Sequence, residues 1–364
     1  MKPFTPALSW LIDEAADVDG ADRFLGELGA RLVAEGLPIV GGALVLEVAH
    51  PLIARRTWLW RADSGEVIEA PGFASAEFMG PKAHPHNDAA KRWLAGLAQG
   101  IAHEAVVGNK PNGPWLAWIG PRGFASEEAD RLALAARAAS APLAALSARA
   151  TLASSLEAYL GRRSAAQALA APLRRVVGET IEAALLFADL RGFTSLSEAQ
   201  PPALVLAALD AWFDRIAGAV HAYGGEVLKF MGDGALAIFP VAGATPRTAC
   251  ASAVRAVVAA RAGMARLNEE RLRHSLPPLK FGAALHFGEM FWGNIGAANR
   301  LDFTAIGPAV NLVSRLEGLC KPLGRSALVS GALAAQVDTP LVSLGAHALR
   351  GTAAPCEVFA LPEN

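Results

Sequence analysis

A helical run between residues 125 and 180 divides this chain of 364 residues into two parts. It reads SEEADRLALAARAASAPLAALSARATLASSLEAYLGRRSAAQAL; it starts at Ser126 with acidic residues behind it, and Pro142 predicts a kink or a division. Because the chain is too long for one ordinary core, we expect a domain at 1–124, a helical connector at 125–180 and a domain at 181–364. The apolar face of the connector packs either on its own domain or on a second protomer, and the sequence leaves both open.

The bulk composition excludes several classes of function. Thirty-three basic and 34 acidic side chains nearly cancel, so there is no global positive field for nucleic acid or an anionic bilayer. The most apolar window, from Leu37 to Ala54, is interrupted by Glu47, His50 and Pro51, and we expect no membrane insertion. The first residues lack the pattern of a secretory signal, so we expect a cytoplasmic protein.

The cysteines and one histidine are expected to be structural. Cys250, Cys320 and Cys356 are widely spaced and form no CxxC pair, which argues against zinc and against a disulfide framework and favours buried free thiols. His286 lies in an apolar strand pattern, where a hydrogen-bonded core histidine is commoner than a catalytic one.

Residues 1–124 alternate helix and strand patterns. GGALVLEVA, TWLWRADSGEVIEA and GPWLAWIG predict strands, with ADSG as a hairpin turn. Six of the eight tryptophans lie here, and we expect them to fill the core and the hairpin: Trp10, Trp58, Trp60, Trp93, Trp115 and Trp118. A sheet flanked by helices, with a last helix leading into an output domain, resembles GAF-type sensor domains. The resemblance implies a regulatory module for an unidentified ligand or partner.

The first motif of the second part is IEAALLFADLRGFTSLSE. It predicts an apolar strand that ends at Asp189 and turns through Gly192 into a helix opened by Thr194 or Ser195. A carboxylate at a strand end, beside the N–H groups of a helix terminus, is suited to hold a metal–triphosphate. An aspartate after a strand is also a common helix cap, so this motif alone does not establish a metal site.

The second motif is GGEVLKFMGDGALAIF, which predicts two strands joined by a tight turn containing Gly232, Asp233 and Gly234. An Asp-Gly pair is frequent as pure turn chemistry. Together with Asp189, however, Asp233 supplies a second hard oxygen ligand without any His or Cys cluster. This pair suits Mg²⁺ or Mn²⁺ bridging phosphate oxygens.

The third motif is RLDFTAIGPAVNLVSRLEGL. Pro308 after Gly307 fits the first turn of a helix, so Asn311 and Arg315 are i and i+4 on one face. An amide and a guanidinium in this arrangement can orient a ribose and stabilise a phosphoryl group that develops charge. A solvated helix face is the other interpretation of the same pair.

The three motifs together resemble the class III nucleotidyl cyclases over roughly residues 180–361. The resemblance implies a ferredoxin-like α+β catalytic domain with an antiparallel-rich sheet, and two divalent cations, Mg²⁺ or Mn²⁺. It assigns the site as follows: metal aspartates Asp189 and Asp233, with Leu190 beside them; a triphosphate loop from Leu190 to Thr194 that includes Gly192 and Phe193; base-selecting Lys229 and Thr304; transition-state residues Asn311 and Arg315; and a triphosphate contact at Arg350.

Two of these positions depart from the animal relatives. Arg350 stands where they carry lysine, so a planar guanidinium takes the place of a compact ammonium. Thr304 stands where many carry aspartate, but a hydroxyl still accepts a hydrogen bond from an amino group. Lys229 can donate to adenine N1, whereas guanine presents the reverse pattern, so ATP is favoured over GTP.

The resemblance also implies the assembly, because in the family the metal aspartates come from one protomer and the base-selecting and Asn/Arg residues from the other. We therefore expect a head-to-tail homodimer with two sites that converts ATP to 3′,5′-cyclic AMP and pyrophosphate. The alternatives are a guanylate cyclase and a catalytically silent nucleotide-binding module. A diguanylate cyclase is disfavoured because GGEV at Gly224–Val227 lacks the acidic pair of GGDEF.

Overall fold

The computed structural model describes residues 4–47, 53–73, 88–108, 113–170, 177–297, 300–351 and 354–363. The contacts divide the chain into two compact units, Met1–Tyr159 and Leu160–Asn364. Residues 171–176 of the expected connector and the end of the expected first strand, 48–49, lie outside the described residues. The expected boundaries at 124 and 180 remain predictions. In the described residues, no helix has both the length and the apolar character needed to cross a membrane.

The first unit has a five-stranded antiparallel sheet in the order β3-β2-β1-β5-β4. Its elements are α1 (Pro6–Asp13), a 3₁₀ turn (Ala15–Asp17), α2 (Ala21–Ala34), β1 (Gly41–Glu47), β2 (Ile53–Arg61), β3 (Val67–Phe73), α3 (Asp88–Leu97), β4 (His103–Val106), β5 (Trp115–Ile119), α4 (Ser126–Ala138) and α5 (Ser140–Leu160). The hairpin expected at ADSG joins β2 to β3, with Gly65 at φ +70°.

Two apolar clusters cover the two faces of this sheet, because successive strand residues point to opposite sides. Leu44 and Leu46 of β1 belong to one cluster, and Ala43 and Val45 belong to the other. Five of the six tryptophans expected in the core are buried, and Trp93 is half-buried. The sheet with helices on both sides agrees with the layout expected from the sequence, while the GAF assignment itself remains a prediction.

The predicted connector starts inside the first unit. α4 begins at Ser126 as expected, and the chain divides at Ala139, so that Pro142 lies in the first turn of α5. Leu132, Leu143 and Leu146 are buried in the same cluster as the core of α2. This part of the connector therefore packs on its own unit.

The second unit is built on an eight-stranded sheet in the order β12-β13-β11-β9-β6-β8-β7, with β10 paired to β9. Its elements are α6 (Arg162–Ala170), β6 (Val177–Arg191), α7 (Phe193–Ala199), α8 (Pro202–Ala222), β7 (Glu226–Met231), β8 (Gly234–Pro240), α9 (Pro246–Arg273), β9 (Lys280–Ala297), β10 (Arg300–Ile306), α10 (Pro308–Glu317), β11 (Ala327–Ser330), α11 (Gly331–Ala334), β12 (Val342–His347) and β13 (Cys356–Ala360). Every pairing is antiparallel except β11 with β9, so the expected antiparallel-rich α+β fold is confirmed.

The long strands β6 and β9 form the centre of this sheet. Their ladder runs from Val177 opposite Asn294 to Arg191 opposite Lys280. One face, with Leu186 and Ala188, packs against α8 and α9, and the other face, with Ala183 and Leu185, packs against α10. Odd-numbered residues of β6 therefore point toward α10, and Asp189 is one of them.

The structural residues behave largely as expected. His286 is 8% exposed and shares a hydrogen bond of 2.8 Å with the hydroxyl of Ser330, and burial lowers its pKa to about 4. Cys250 and Cys320 are buried free thiols. Cys356 corrects the expectation, because it is the first residue of β13 and is partly exposed.

Candidate active site

Two aspartates meet at the end of the β6–β8 ladder. Asp189 pairs with Gly234, the residue that directly follows Asp233 at the tip of the β7–β8 hairpin. A Cβ at position 234 would lie 3.2 Å from Asp189 Oδ1, so the glycine leaves room for this carboxylate. The indole N–H of the buried Trp212 donates to the backbone carbonyl of Asp233 at 2.9 Å and fixes the hairpin tip.

Without a bound cation, the negative charges of these two carboxylates repel one another. Burial, the nearby charge of Asp233 and a hydrogen bond with Asp233 raise the pKa of Asp189 to about 6. A divalent cation would relieve this repulsion, and carboxylate oxygens are its preferred ligands. The donor set therefore fits Mg²⁺ or Mn²⁺. Within the described parts of the chain, no group of three or more His, Cys, Asp or Glu residues has the arrangement of a metal site.

A third carboxylate that sequence reasoning missed lies behind this pair. Glu317, at the end of α10, places its carboxyl group over Gly282, the β9 partner of Asp189; a Cβ at position 282 would lie only 2.2 Å from Glu317 Oε1. Burial and the charges of Asp189 and Asp233 raise the pKa of Glu317 to about 7, against an opposing effect of Arg191. No local pattern distinguishes this glutamate from a solvated helix residue.

These pKa values predict a pH-dependent stability. Because the folded-state pKa values of Asp189 and Glu317 lie above their ordinary values, the native chain binds more protons than the unfolded chain between about pH 4 and pH 7. The stability of the metal-free protein should therefore fall as the pH rises through this window. In urea unfolding of chelator-treated proteins, the midpoint of wild type should fall relative to that of Asp189→Asn as the pH rises from about 4 to 7, and the difference should be largest at pH 8. A constant difference between the two proteins would contradict the assignment.

The segment after Asp189 turns at Gly192 as the sequence predicts, but two other expectations were wrong. β6 continues past Asp189 to Arg191, and α7 begins at Phe193 with Gly192 as its N-cap rather than being opened by Thr194 or Ser195. Gly192 adopts φ +74° before α7, a left-handed conformation that favours glycine. Phe193 packs partly against the core of the second unit, and Thr194 is exposed. Arg191 donates to the carbonyl of Arg325, which anchors the strand end from which the loop departs. Its role as a triphosphate loop remains a prediction.

The two residues expected to select the base, Lys229 and Thr304, lie on β7 and β10. The β7–β8 register shifts between Val227 and Lys229, an irregularity of the kind that re-aims a side chain. Lys229 forms an ion pair with Asp302, which is two residues before Thr304 and therefore on the same face of β10. The structure thus places Lys229 beside the strand that carries Thr304. Asp302 was missed because its partner is 73 residues away in the sequence.

The Asn/Arg pair lies on the exposed side of α10, as the helical spacing predicts. A Cβ at Gly351 would lie 3.5 Å from both terminal nitrogens of Arg315, so this guanidinium lies against the turn that contains Arg350. Two exposed guanidinium-bearing residues are therefore close to one another. Such a concentration of donors is suited to phosphate oxygens.

The site residues fall into separate groups within one chain. Asp189 lies beside Asp233, Lys229 lies beside β10, and Arg315 lies beside the turn of Arg350. In the described parts of the chain, no ion pair or side-chain hydrogen bond joins Lys229 or Arg315 to either aspartate.

Comparison with known proteins is consistent with this geometry. Residues 177–332 match the family model described as the adenylate and guanylate cyclase catalytic domain. The chain is 36% identical over 155 residues to adenylate cyclase 1 of Rhizobium meliloti (strain 1021), covering 43% of this chain and 23% of that protein. It is 32% identical over 160 residues to the adenylate cyclase of Anabaena cylindrica, covering 43% of this chain and 31% of that protein. The match thus spans less than a third of the length of these two relatives.

One solved structure resembles most of the chain. It is a bacterial light-regulated adenylyl cyclase with a TM-score of 0.53 and 18% identity, and the match covers 88% of this chain and 92% of that one. At this identity the likeness concerns the fold alone.

Proposed function

We propose that the chain is an adenylate cyclase of the class III nucleotidyl cyclase family, from the premise that residues 177–332 match the model of the adenylate and guanylate cyclase catalytic domain. It would convert ATP to 3′,5′-cyclic AMP and pyrophosphate. The observation that carries the proposal is the pair of Asp189 and Asp233 at the end of the β6–β8 ladder, where Asp189 pairs with the residue that follows Asp233. Lys229, beside the strand of Thr304, supports adenine as the base.

In the proposed reaction the residues of the chain bind the cations and ATP, orient the ribose and stabilise the charge that develops on the phosphoryl group. Asp189 and Asp233, with Leu190 beside them, would hold two divalent cations, which when bound acidify the ribose 3′-hydroxyl and neutralise the triphosphate. Lys229 donates to adenine N1, and the hydroxyl of Thr304 accepts from the 6-amino group.

The bond changes follow in-line phosphoryl transfer. The 3′-hydroxyl loses its proton to solvent water, and its oxygen bonds to the α-phosphorus. The bond from that phosphorus to the bridging oxygen breaks, and pyrophosphate leaves with the bonding electron pair. Asn311 orients the ribose, and Arg315 stabilises the charge that accumulates on the phosphoryl oxygens. Arg350 and the loop from Leu190 to Thr194, including Gly192 and Phe193, contact the triphosphate.

We further propose that two chains form a head-to-tail homodimer with two equivalent sites. The proposal is supported by the separation of the site residues into groups within one chain, since a complete site then needs both protomers.

The first unit is proposed to regulate this activity. It contains a cavity of about 740 Å³, which is in the size range of small-molecule sites. Its lining includes Ser147, Thr151 and Ser155 of α5, together with Val107 and Leu152. The lining also includes the carboxylate of Glu47, so the mixture of hydroxyl, carboxylate and apolar groups suits a small ligand that combines apolar surface with hydrogen-bond donors.

Nucleotide choice tests the proposal directly. With Mn²⁺ and purified full chain, ATP turnover should exceed GTP turnover by at least about tenfold, because each unpaired buried polar group costs about 1–3 kcal/mol. Cyclic products are separated by chromatography, and an Asp189→Ala preparation made in parallel excludes a contaminating cyclase. Faster GTP turnover would indicate a guanylate cyclase, and turnover of neither nucleotide would indicate a silent module.

A further inference from the structure

The chain enters the second unit through a sharp turn at Gly161. This glycine has φ +79° between the end of α5 at Leu160 and the start of α6 at Arg162. A Cβ at position 161 would lie 3.1 Å from Glu226 Oε1 and 3.3 Å from the carbonyl of Val227. Only a residue without a side chain therefore fits this approach to β7 without strain.

The next contact fixes the start of α6 on the same strand. The backbone N–H of Arg163 donates to Glu226 Oε1 at 2.9 Å, so a β7 side chain from 63 residues further along satisfies one of the free N–H groups of the first turn. Glu226 is half-buried, and burial raises its pKa, while the hydrogen bond from Arg163 opposes this effect. Glu226 lies three residues before Lys229 on β7.

The side chain of Arg163 binds the opposite part of the sheet. Its guanidinium pairs with Glu179 of β6 and lies 4.6 Å from the ring centre of Trp292 of β9. Glu179 and Trp292 are themselves opposite one another in the β6–β9 ladder. Arg163 therefore binds both members of this cross-strand pair: its charge binds Glu179, and its planar face stacks on Trp292.

Trp292 connects Arg163 to the base-selecting strand. It is fully buried, its ring lies 4.6 Å from that of Phe303, and it is opposite Ala305 in the β9–β10 ladder. Phe303 and Ala305 flank Thr304 on β10, whose side chain points to the other face. The packing of Trp292 therefore determines how β10 presents Thr304.

We propose that Arg163 is a positioning residue for purine recognition, through which α6 holds the strands of Lys229 and Thr304 at their working separation. The inference rests on the proposed function, because it names a control point of that same site. A movement of α6 would act on both base-selecting strands at once, whereas Asp189 lies ten residues further along β6 than Glu179, about 33 Å of strand. Base recognition should therefore change and metal binding should not.

The test compares Arg163→Met with Arg162→Met in the full chain. Both remove one positive charge from the first turn of α6, but Arg162 is exposed. We measure the affinity for 3′-deoxy-ATP and 3′-deoxy-GTP, which lack the attacking hydroxyl, and the Mn²⁺ concentration that gives half-maximal turnover of ATP.

Arg163→Met should weaken 3′-deoxy-ATP binding by about fivefold and lower the ATP-to-GTP affinity ratio by a similar factor, with Mn²⁺ dependence within about twofold of wild type. Arg162→Met should match wild type. Equal weakening for both nucleotides, or no difference between the two variants, would overturn the inference.

Two further measurements keep the result interpretable. If Arg163→Met fails to fold by circular dichroism, Arg163→Lys replaces it, because lysine keeps the charge opposite Glu179 and loses the planar stack on Trp292; it should lower the ATP-to-GTP ratio, and a wild-type ratio would overturn the proposal. A wild-type chain that binds both analogues but turns over neither ATP nor GTP would contradict the proposed function and leave the positioning test valid.

Discussion

Asp189→Ala is expected to reduce the rate of ATP cyclisation by at least about three orders of magnitude. Asp189 and Asp233 are the paired carboxylates of the site, and a bound divalent metal stabilises the transition state of such reactions by several kcal/mol, with about 1.4 kcal/mol for each factor of ten. The one carboxylate that remains cannot bind both cations. The loss should therefore persist at saturating Mn²⁺, and initial rates of cyclic AMP formation measure it.

The control for this prediction is an exposed aspartate of the same unit, far from the site. Asp338 forms an ion pair with Arg247 on the surface, so Asp338→Ala removes a carboxylate and an ion pair away from the site. It should retain wild-type turnover, since surface pairs contribute little. The stability of Asp189→Ala should equal or exceed that of wild type without metal at pH 8, because a repulsive carboxylate is gone. Full activity of Asp189→Ala would refute the metal assignment, and a loss explained by unfolding would not support it.

The parts of the site that depend on short patterns could be predicted from the sequence. The hairpin around Asp233 follows from glycine chemistry between two apolar strands, and α10 follows from Gly-Pro and helical spacing. Both elements have the predicted form, and the register of β6 with β8 then brings Asp189 to the hairpin. The roles of these residues come from the family resemblance and remain predictions.

The residues that could not be predicted act through contacts between distant segments. Asp302 binds a lysine 73 residues away, and Arg163 binds a glutamate 63 residues away. Glu317 faces the aspartates only because α10 packs over Gly282. In each case the partner is set by strand register and helix packing, which a local pattern does not encode.

The first unit shows the same limit for domain boundaries. The sequence predicts a helical connector from residue 125, because its alanine-rich helical pattern is continuous, and it leaves open whether the apolar face packs on its own domain or on a second protomer. In the structure, Leu132, Leu143 and Leu146 complete the core around α2. A helix that closes a domain and a helix that leaves it share the same periodicity, so packing alone distinguishes them.

The separation of the site into groups leads to the second large effect. Each protomer would contribute its aspartates to one site and its Asn311, Arg315 and Lys229 to the other. A dimer of one Asp189→Ala chain and one Arg315→Ala chain then contains one site with both defects and one site with none. Two inactive proteins should therefore become active when their chains are exchanged, which a site contained within one chain cannot do.

The expected recovery can be calculated. When equal amounts of Asp189→Ala and Arg315→Ala pair at random, half of the dimers are mixed and each has one intact site of two, so turnover should reach about a quarter of wild type. The two chains are co-expressed with different tags, and the unseparated population is assayed for cyclic AMP. The mixed dimer isolated through both tags should reach about half of wild type, because one of its two sites is intact. The matched control pairs Asp189→Ala with Asp233→Ala, where both sites lack a metal ligand and no recovery is expected. Equal recovery in both mixtures, or none in the first, would show that the aspartates and the arginine do not meet across a dimer.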